Sequence, residues 1–352
     1  MMQLNYHFIL TTIFIACFIF SVLINYILLK FAQTLGVRDT DQQQVRWNPN
    51  VKPSLGGISF YLVFLFALIF AAILPHSGAG FSLQVMGILV AATLAFLMGL
   101  ADDAFNTQPL LKFLTQLICG FIVIISGHSI QIFDNLFIDY FITLFWVVGL
   151  MNSINMIDNM DGISTTVSVL ACFFMVTVNF ALFNTGSYST ILNLGVLGAL
   201  CGFLVYNFHP SRMFMGDTGS QFLGLFLAVM GIDNCWNNPT GPHYNGFPIV
   251  NIVLVALVFL LPLTDTFTVV VNRTRRGQSP FIGGKDHTTH FLFFRGLTEK
   301  RIVILFFLLG GIAVLMAYKL VVAFSYPLFY AGIIYSVIVL AALYLNTVLK
   351  QK

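Results

Sequence analysis

The stretch YFITLFWVVGLMNSINMIDNMDG, residues 140–162, decides how the rest of the chain is read. Its first half carries no charge, like the interior of a membrane-spanning helix. It then turns polar, with Asn152, Asn155, Asp158 and Asp161 at steps of three. Residues three apart lie near one face of a helical turn, but on an ideal α-helix such a stripe rotates by about 60° per step. The four side chains point one way only if the segment tightens or unwinds. Asn and Asp supply hard oxygen ligands, which suits Mg²⁺ and phosphate. They are also the residues that polar turns prefer.

The composition extends the apolar half of this stretch to the whole chain. Of 352 residues, 58% are hydrophobic and 8% charged, whereas a soluble domain averages about 25% charged. A spanning helix needs roughly 20 mostly apolar residues. Eleven such segments are expected: 8–29, 55–75, 82–100, 112–127, 137–151, 164–184, 190–207, 219–232, 249–271, 302–320 and 326–347. The fourth and eighth are short. The predicted fold class is therefore all-α, a polytopic membrane protein with about 11 transmembrane helices in a single integral-membrane domain, 1–352. The first segment has no basic leader and no small-residue cleavage site before Lys30, so it reads as a permanent helix. The longest polar connections, 30–54 and 272–301, leave no room for a soluble domain.

Charge distribution orients the bundle. With eleven helices, the odd-numbered connections and the C-terminus fall on one side. They hold Lys30, Arg38, Arg46, Lys52, Lys112, Arg212, Arg273, Arg275, Arg276, Lys285, Arg295, Lys300, Arg301, Lys350 and Lys352, which is 15 of the 16 basic residues. Only Lys319 lies opposite. The positive-inside rule puts the basic side in the cytoplasm, with the N-terminus outside. The five cysteines form no CxxC and read as small packing residues.

Four polar clusters converge on the same side: GLADDAFNTQPLLKF (99–113), the Asn/Asp stretch, NFHPSRMFMGDTGS (207–220) and RRGQSPFIGGKDHTTHF (275–291). Carboxylates crowded near so few local cations repel one another, so something cationic is expected among them. Asp102 and Asp103 are either a solvated pair at a helix end or a metal or general-base pair. Lys112 and Gln116 follow one helical turn apart, where a lysine meets a phosphate. Asp217 is a metal ligand, a cap of the eighth helix, or both, and Gly216 and Gly219 let backbone approach a ligand. His287 and His290 lack the further ligands of a zinc site. Amid Arg273, Arg275, Arg276 and Lys285 they fit an anion clamp, or simply a positive-inside loop. Asp265, inside the ninth segment, is either a structural hydrogen-bonding group or a site residue. Acids, amides and a basic loop together describe a site for a metal-bound polyphosphate, and the membrane setting suggests a lipid as one substrate.

These motifs carry a resemblance. PSLGG (53–57), DDAFNTQPLLKFLTQ, NSINMIDNMDG, FMGDTGS, and PLTDT followed by GQSPFIGGKDHTTHFL resemble, in order, the signatures of the polyprenyl-phosphate N-acetylhexosamine-1-phosphate transferases, glycosyltransferase family 4. The chain looks nearest to the bacterial undecaprenyl-phosphate N-acetylglucosamine-1-phosphate branch. The chain departs from the pattern in places: Asn159 stands where glycine is usual, and Thr289 replaces the middle histidine of an H-x-H-H signature. Phe291 follows where a basic residue is common.

The resemblance implies a reaction: a UDP-N-acetylhexosamine and polyprenyl (undecaprenyl) phosphate give polyprenyl-diphospho-sugar and UMP. This would be the first membrane step of a cell-surface glycan, such as cell wall or lipopolysaccharide, at the bacterial inner membrane. It implies Mg²⁺, with Mn²⁺ a substitute, on Asp217 and Asn155. Asp102 or Asp103 would deprotonate or orient the lipid phosphate, and Lys112 would hold it. Asn152, Asp158, Asp161 and Phe214 would bind the uridine end or sugar, with Lys52 beside them. His287, with Lys285 or Arg276, would contact the diphosphate or sugar, and Asp265 and His290 would support the loop. Active-site connections would be 30–54, 101–112, 152–163, 208–218 and 272–301. Nucleic acid is not an expected partner; many relatives form a homodimer, but no interface for one is readable in this sequence. The alternative within the family is a phospho-N-acetylmuramoyl-pentapeptide transferase, whose histidine triplet this chain lacks. An ion-coupled transporter would place polar residues deep in several helices and show a structural repeat; neither is visible here.

Overall fold

The structure, a computed structural model, describes residues 2–35, 52–74, 82–133, 135–183, 187–239, 249–279 and 284–349. Most of the 30–54 connection, with Arg38 and Arg46, lies outside the described residues, as do Asp134, His243, Lys350 and Lys352. The described chain is a helical bundle: α1 Met2–Leu35, α2 Gly56–Ile73, α3 Leu83–Phe105, α4 Pro109–Ile125, α5 Leu136–Ile157, α6 Ile163–Phe183, α7 Tyr188–Asn207, α8 Gly216–Gly231, α9 Ile249–Val258, α10 Leu260–Arg275, α11 Thr288–Phe294, α12 Glu299–Val322 and α13 Tyr326–Val348. Eight of these helices are long and apolar enough to cross a membrane, and the bent pair α9–α10 adds a ninth candidate. The protein is an all-α, multi-pass membrane protein.

Each of the eleven predicted segments holds helix, and the fourth and eighth (α4 and α8) are short, as expected. Two differences stand out. The ninth is broken, its halves bent by 82°. Pro262 causes the break, because it has no N–H to offer the Val258 carbonyl and its ring crowds that turn. Finally, α3 and α5 run on past the predicted ends, 100 and 151, to Phe105 and Ile157. Asp102, Asp103, Asn152 and Asn155 therefore stand on helical turns rather than in loops.

At the centre lies α8, buried on every side from Thr218 to Gly231, as a helix apolar all round must be. It packs against α3, α5 and α2, while α7 packs against α1, α2 and α6. Phe64 joins Phe222 and Phe226 edge to face at 5.4 and 6.1 Å, so rings tie α2 to α8. Peripheral α13 buries only Phe329, Gly332, Val339 and Leu343. Its exposed Ile334, Val337 and Ile338 suit contact with lipid.

Candidate active site

The α2–α3–α8 packing places the start of α8 beside the end of α3. A Cβ on Gly99 would lie 2.3 Å from the Asp217 carbonyl oxygen, and one on Gly57 2.1 Å from the Gly219 nitrogen. Only glycine admits these approaches. The sequence suggested that Gly216 and Gly219 admit a ligand. Gly219 instead faces Gly57, and Gly216, with φ +71°, turns the chain into α8. PSLGG clasps the same turn: Phe214 N–H donates to Pro53 O, and Gly56 and Gly57 N–H donate to Phe214 O and Met215 O, all at 3.0 Å.

Asp103 resolves one alternative. Its Oδ1 accepts from Asp217 N–H at 2.9 Å, and its Oδ2 from Thr218 N–H at 2.8 Å and Thr218 Oγ1 at 2.6 Å. A carboxylate on the free N–H groups of a helix start is a cap supplied from another helix. Asp217 is thus not the cap of α8; Asp103 is. Asp102 points elsewhere. Its Oδ1 accepts from Thr107 N–H at 2.9 Å and from the Thr107 hydroxyl, closing the α3–α4 turn. Its Oδ2 pairs with Lys112 Nζ at 3.0 Å, and Lys112 also pairs with Asp217 Oδ2 at 3.1 Å. One lysine therefore bridges the two acids.

Asn155 meets the same group from α5. Its Nδ2 donates to Asp217 Oδ1 and, at 2.8 Å, to Ser220 Oγ. Asn152 sits one turn deeper and bonds instead to Gln116 Oε1 at 2.8 Å, while Gln116 donates to Gln221 Oε1 at 3.0 Å. The α5 helix ends at Asp158, half-buried, whose carboxylate accepts no hydrogen bond from any described residue. Burial first, then the charges of Asp217, Asp103 and Asp161, push its pKa up to about 8. A half-buried acid without a donor, beside other acids, is a position where a cation would be stabilised. The oxygens of Asp217, Asp158 and Asn155, once the Asn155 amide turns its carbonyl inward, form an all-oxygen donor set that fits a hard divalent cation.

Asp161 has turned away into a second cluster. It takes Lys52 Nζ at 3.2 Å, Ser211 Oγ at 2.6 Å, Ser211 N–H at 3.0 Å and His209 Nδ1 at 3.1 Å. Burial opposes ionisation, but Ser211 and Lys52 hold its carboxyl below the usual range. Lys52 Nζ also stands 5.0 Å from the Phe214 ring centroid, a cation–π arrangement. His209 reaches on to Glu299 at 3.2 Å. Asp161, His209 and Glu299 offer ligand atoms within 4.8 Å of one another. The Lys52 ammonium on the same carboxylate opposes a metal there, so the Asp217–Asp158 group is the better cation site.

The third cluster holds α11. Asp265 Oδ2 lies 2.8 Å from His287 Nδ1, and its Oδ1 accepts from Thr288 N–H at 2.8 Å and Thr288 Oγ1 at 2.7 Å. Asp265 is thus a support that orients His287, leaving the far ring nitrogen, Nε2, for other work. His290 packs edge to face on His287 at 5.3 Å. Burial and then the charge on His287 push the His290 pKa down to about 4, which suits a neutral supporting role.

The expected arginine clamp is largely spent internally. Arg273, buried, grips Asp286 through Nε at 2.8 Å and Nη2 at 2.6 Å. Arg276, half exposed, reaches the same acid at 3.1 Å. Arg275 bonds the Tyr344 hydroxyl and lies 5.7 Å from its ring. Burial opposes ionisation of Asp286, but Arg273 holds its carboxyl below the ordinary value. Lys285 stands exposed beside Asp286 at the edge of the described loop.

The structure thus joins Asp102, Lys112, Asp217 and Asn155 directly, sets Asp158 among them electrostatically, and gathers Lys52, Asp161 and Phe214 in one neighbouring cluster and His287 and Asp265 in another. Sequence reasoning missed Thr107, Thr218, Ser211, His209 and Asp286. Each is a single polar residue whose partner is more than a helix away or across a turn, and no spacing reveals it. Glu299 was visible as the only glutamate, but nothing in the sequence paired it with His209.

The family described as Glycosyl transferase family 4 matches residues 85–234, which contain both acidic helix ends and Asp217. The chain is similar to a probable undecaprenyl-phosphate N-acetylglucosaminyl 1-phosphate transferase of Bacillus subtilis (strain 168): 26% identical over 309 residues, covering 85% of this chain and 81% of that protein. It is similar to a decaprenyl-phosphate N-acetylglucosaminephosphotransferase of Mycolicibacterium smegmatis, 28% identical over 284 residues, covering 74% and 70%. A phospho-N-acetylmuramoyl-pentapeptide-transferase of Streptococcus agalactiae serotype Ia is 34% identical over 200 residues, 51% of this chain and 59% of that protein.

Proposed function

Because the chain belongs to glycosyl transferase family 4, we propose that it transfers N-acetylhexosamine 1-phosphate, GlcNAc 1-phosphate foremost, from a UDP-sugar to a polyprenyl phosphate. UMP is released and a polyprenyl-diphospho-sugar stays in the bilayer, as the first membrane step of a cell-surface glycan. The end of the bundle where Lys112, Arg273 and Arg276 gather would face the cytoplasm. The observation that carries this reading is the Lys112 bridge between Asp102 and Asp217, beside the donorless Asp158.

The chemistry brings two polyanions together. A bound Mg²⁺ would neutralise diphosphate oxygens and the charge that develops on the leaving UMP. Asp217, Asp158 and Asn155 would hold it, and Lys112 would then let go of Asp217 and turn to the lipid phosphate. Asp102 Oδ2, already against Lys112, would orient that phosphate and accept any remaining proton. A phosphate monoester has a second pKa near 6, so it is largely dianionic at neutral pH and no strong base is required. One of its oxygens attacks the β-phosphorus; the bond to the UMP oxygen breaks. Lys52, Asp161 and Phe214 would form the uridine pocket, with the ring stacking on the base. His287, aimed by Asp265, would donate from its free nitrogen to the diphosphate. Asp103 would hold Asp217 in place through the α8 start.

The muramoyl-pentapeptide reading is favoured by the higher identity to the Streptococcus agalactiae enzyme, but that match covers only about half of the chain. A donor panel separates the two. Purified protein is given polyprenyl phosphate and either UDP-GlcNAc, other UDP-N-acetylhexosamines or UDP-MurNAc-pentapeptide, and UMP is measured. Turnover of a UDP-N-acetylhexosamine alone supports the proposal; turnover of the pentapeptide donor alone overturns it.

A further inference from the structure

Two positions at which the chain departs from the transferase pattern touch one another. Asn159 stands where glycine is usual, and Thr289 where histidine is. Thr289 Oγ1 donates to Asn159 Oδ1 at 2.5 Å. The Asn159 amide is oriented for this, because its Nδ2 donates to Met156 O at 3.0 Å and leaves the carbonyl facing Thr289. Thr289 is fully buried, next to Thr288, which with His287 is fastened to Asp265. Asn159 follows Asp158 and precedes Asp161 by two residues.

Each departure depends on the other. A glycine at 159 offers no side-chain acceptor, so the buried Thr289 hydroxyl would lose its partner, a loss with a real desolvation cost. A histidine at 289 would bring a larger ring against the Asn159 side chain. We propose that Asn159 and Thr289 are a positioning pair: they latch the segment that carries His287 onto the turn that carries Asp158 and Asp161. Neither touches substrate. Their role is to keep the free nitrogen of His287 at a fixed distance from the acids, and small displacements of a group that acts on the reacting phosphate are costly.

The inference rests on the proposed transfer for its kinetic readout, and carries a second readout that does not. Because the Lys52–Asp161–Phe214 cluster is held independently by Ser211 and His209, loosening the latch should lower kcat and leave KM for the UDP-sugar within about twofold. The test uses the full chain, purified, as wild type, Thr289→Val, Thr289→Ser, Asn159→Gly and the double variant Asn159→Gly/Thr289→His. Thr289→Val and Asn159→Gly should each lose about tenfold in kcat, Thr289→Ser should keep wild-type kcat, and the double variant should be no worse than either single. Amide hydrogen exchange across 288–294 should speed up in Thr289→Val and Asn159→Gly but not in Thr289→Ser. Unchanged exchange in Thr289→Val, a loss in KM with kcat intact, or losses that multiply in the double variant would overturn the latch. A wild type that releases no UMP would refute the transfer reaction, while the exchange measurement still decides the latch.

Discussion

Replacing Lys112 with glutamine should abolish turnover yet tighten Mg²⁺ binding. In the structure Lys112 occupies the position a cation needs, 3.0 Å from Asp102 Oδ2 and 3.1 Å from Asp217 Oδ2. On the proposed reading it would compete with Mg²⁺ for Asp217. At 3.1 Å and an effective dielectric of about 20, the Asp217 pair is worth about 5 kcal/mol in raw Coulomb terms. The Asp217 side chain is 29% exposed and Lys112 17%, so screening and desolvation leave a net of about 1–2 kcal/mol. Removing the competitor should therefore tighten Mg²⁺ by about 5–30-fold. The assay is the Mg²⁺ midpoint for the rise in apparent Tm of detergent-purified protein, with UMP release measured in parallel. In the proposed reaction the lysine would also hold the lipid phosphate, so kcat should fall by about 10²-fold or more, roughly 2.7 kcal/mol. A Lys112→Gln protein that binds Mg²⁺ more weakly than wild type, or that keeps its turnover, would refute the shared-carboxylate arrangement.

Three further outcomes follow from the same contacts. Asp103→Ala should lower apparent Tm by a few degrees, on the scale of losing about 1–2 kcal/mol of helix capping, whereas Asp102→Ala should remove activity with a smaller change in Tm; the opposite ranking would exchange their roles. Arg273→Ala should cut the yield of folded protein because it leaves half-buried Asp286 with only the exposed Arg276, while Arg275→Ala should leave KM for the UDP-sugar unchanged; a raised KM in folded Arg275→Ala would restore the anion clamp. His287→Ala should lose far more kcat than His290→Ala, since only His287 is aimed by Asp265; equal small losses would remove the diphosphate contact.

Much of this architecture is legible in the sequence, for identifiable reasons. Long apolar runs reveal spans directly. Helix ends are harder. Asn152 and Asn155 look like a loop because they are polar, yet they continue α5 regularly, since the interior of the site supplies Gln116, Ser220 and Asp217 as partners. The three-residue spacing does not serve one face. Asp158 ends the helix and Asp161 leaves for Lys52 and Ser211, so the rotation of the stripe is used to reach two clusters. The role of Asp103 was hidden because capping normally comes from the residue preceding a helix, and here it comes from another helix 114 positions earlier. The arginines of 273–276 look like a free clamp until Asp286 and Tyr344 are seen in contact with them.

The most direct test of metal-assisted sugar-phosphate transfer at Asp217 is UMP release from UDP-GlcNAc and polyprenyl phosphate, titrated with Mg²⁺, in wild type and Asp217→Asn. Wild type should be inactive in chelator and saturate with Mg²⁺. Asp217→Asn should be at least about 10²-fold slower at the same Mg²⁺, recover in part as Mg²⁺ rises, and lose the Mg²⁺-dependent stabilisation by UDP-GlcNAc. Near-normal turnover of Asp217→Asn at low Mg²⁺ would contradict the account.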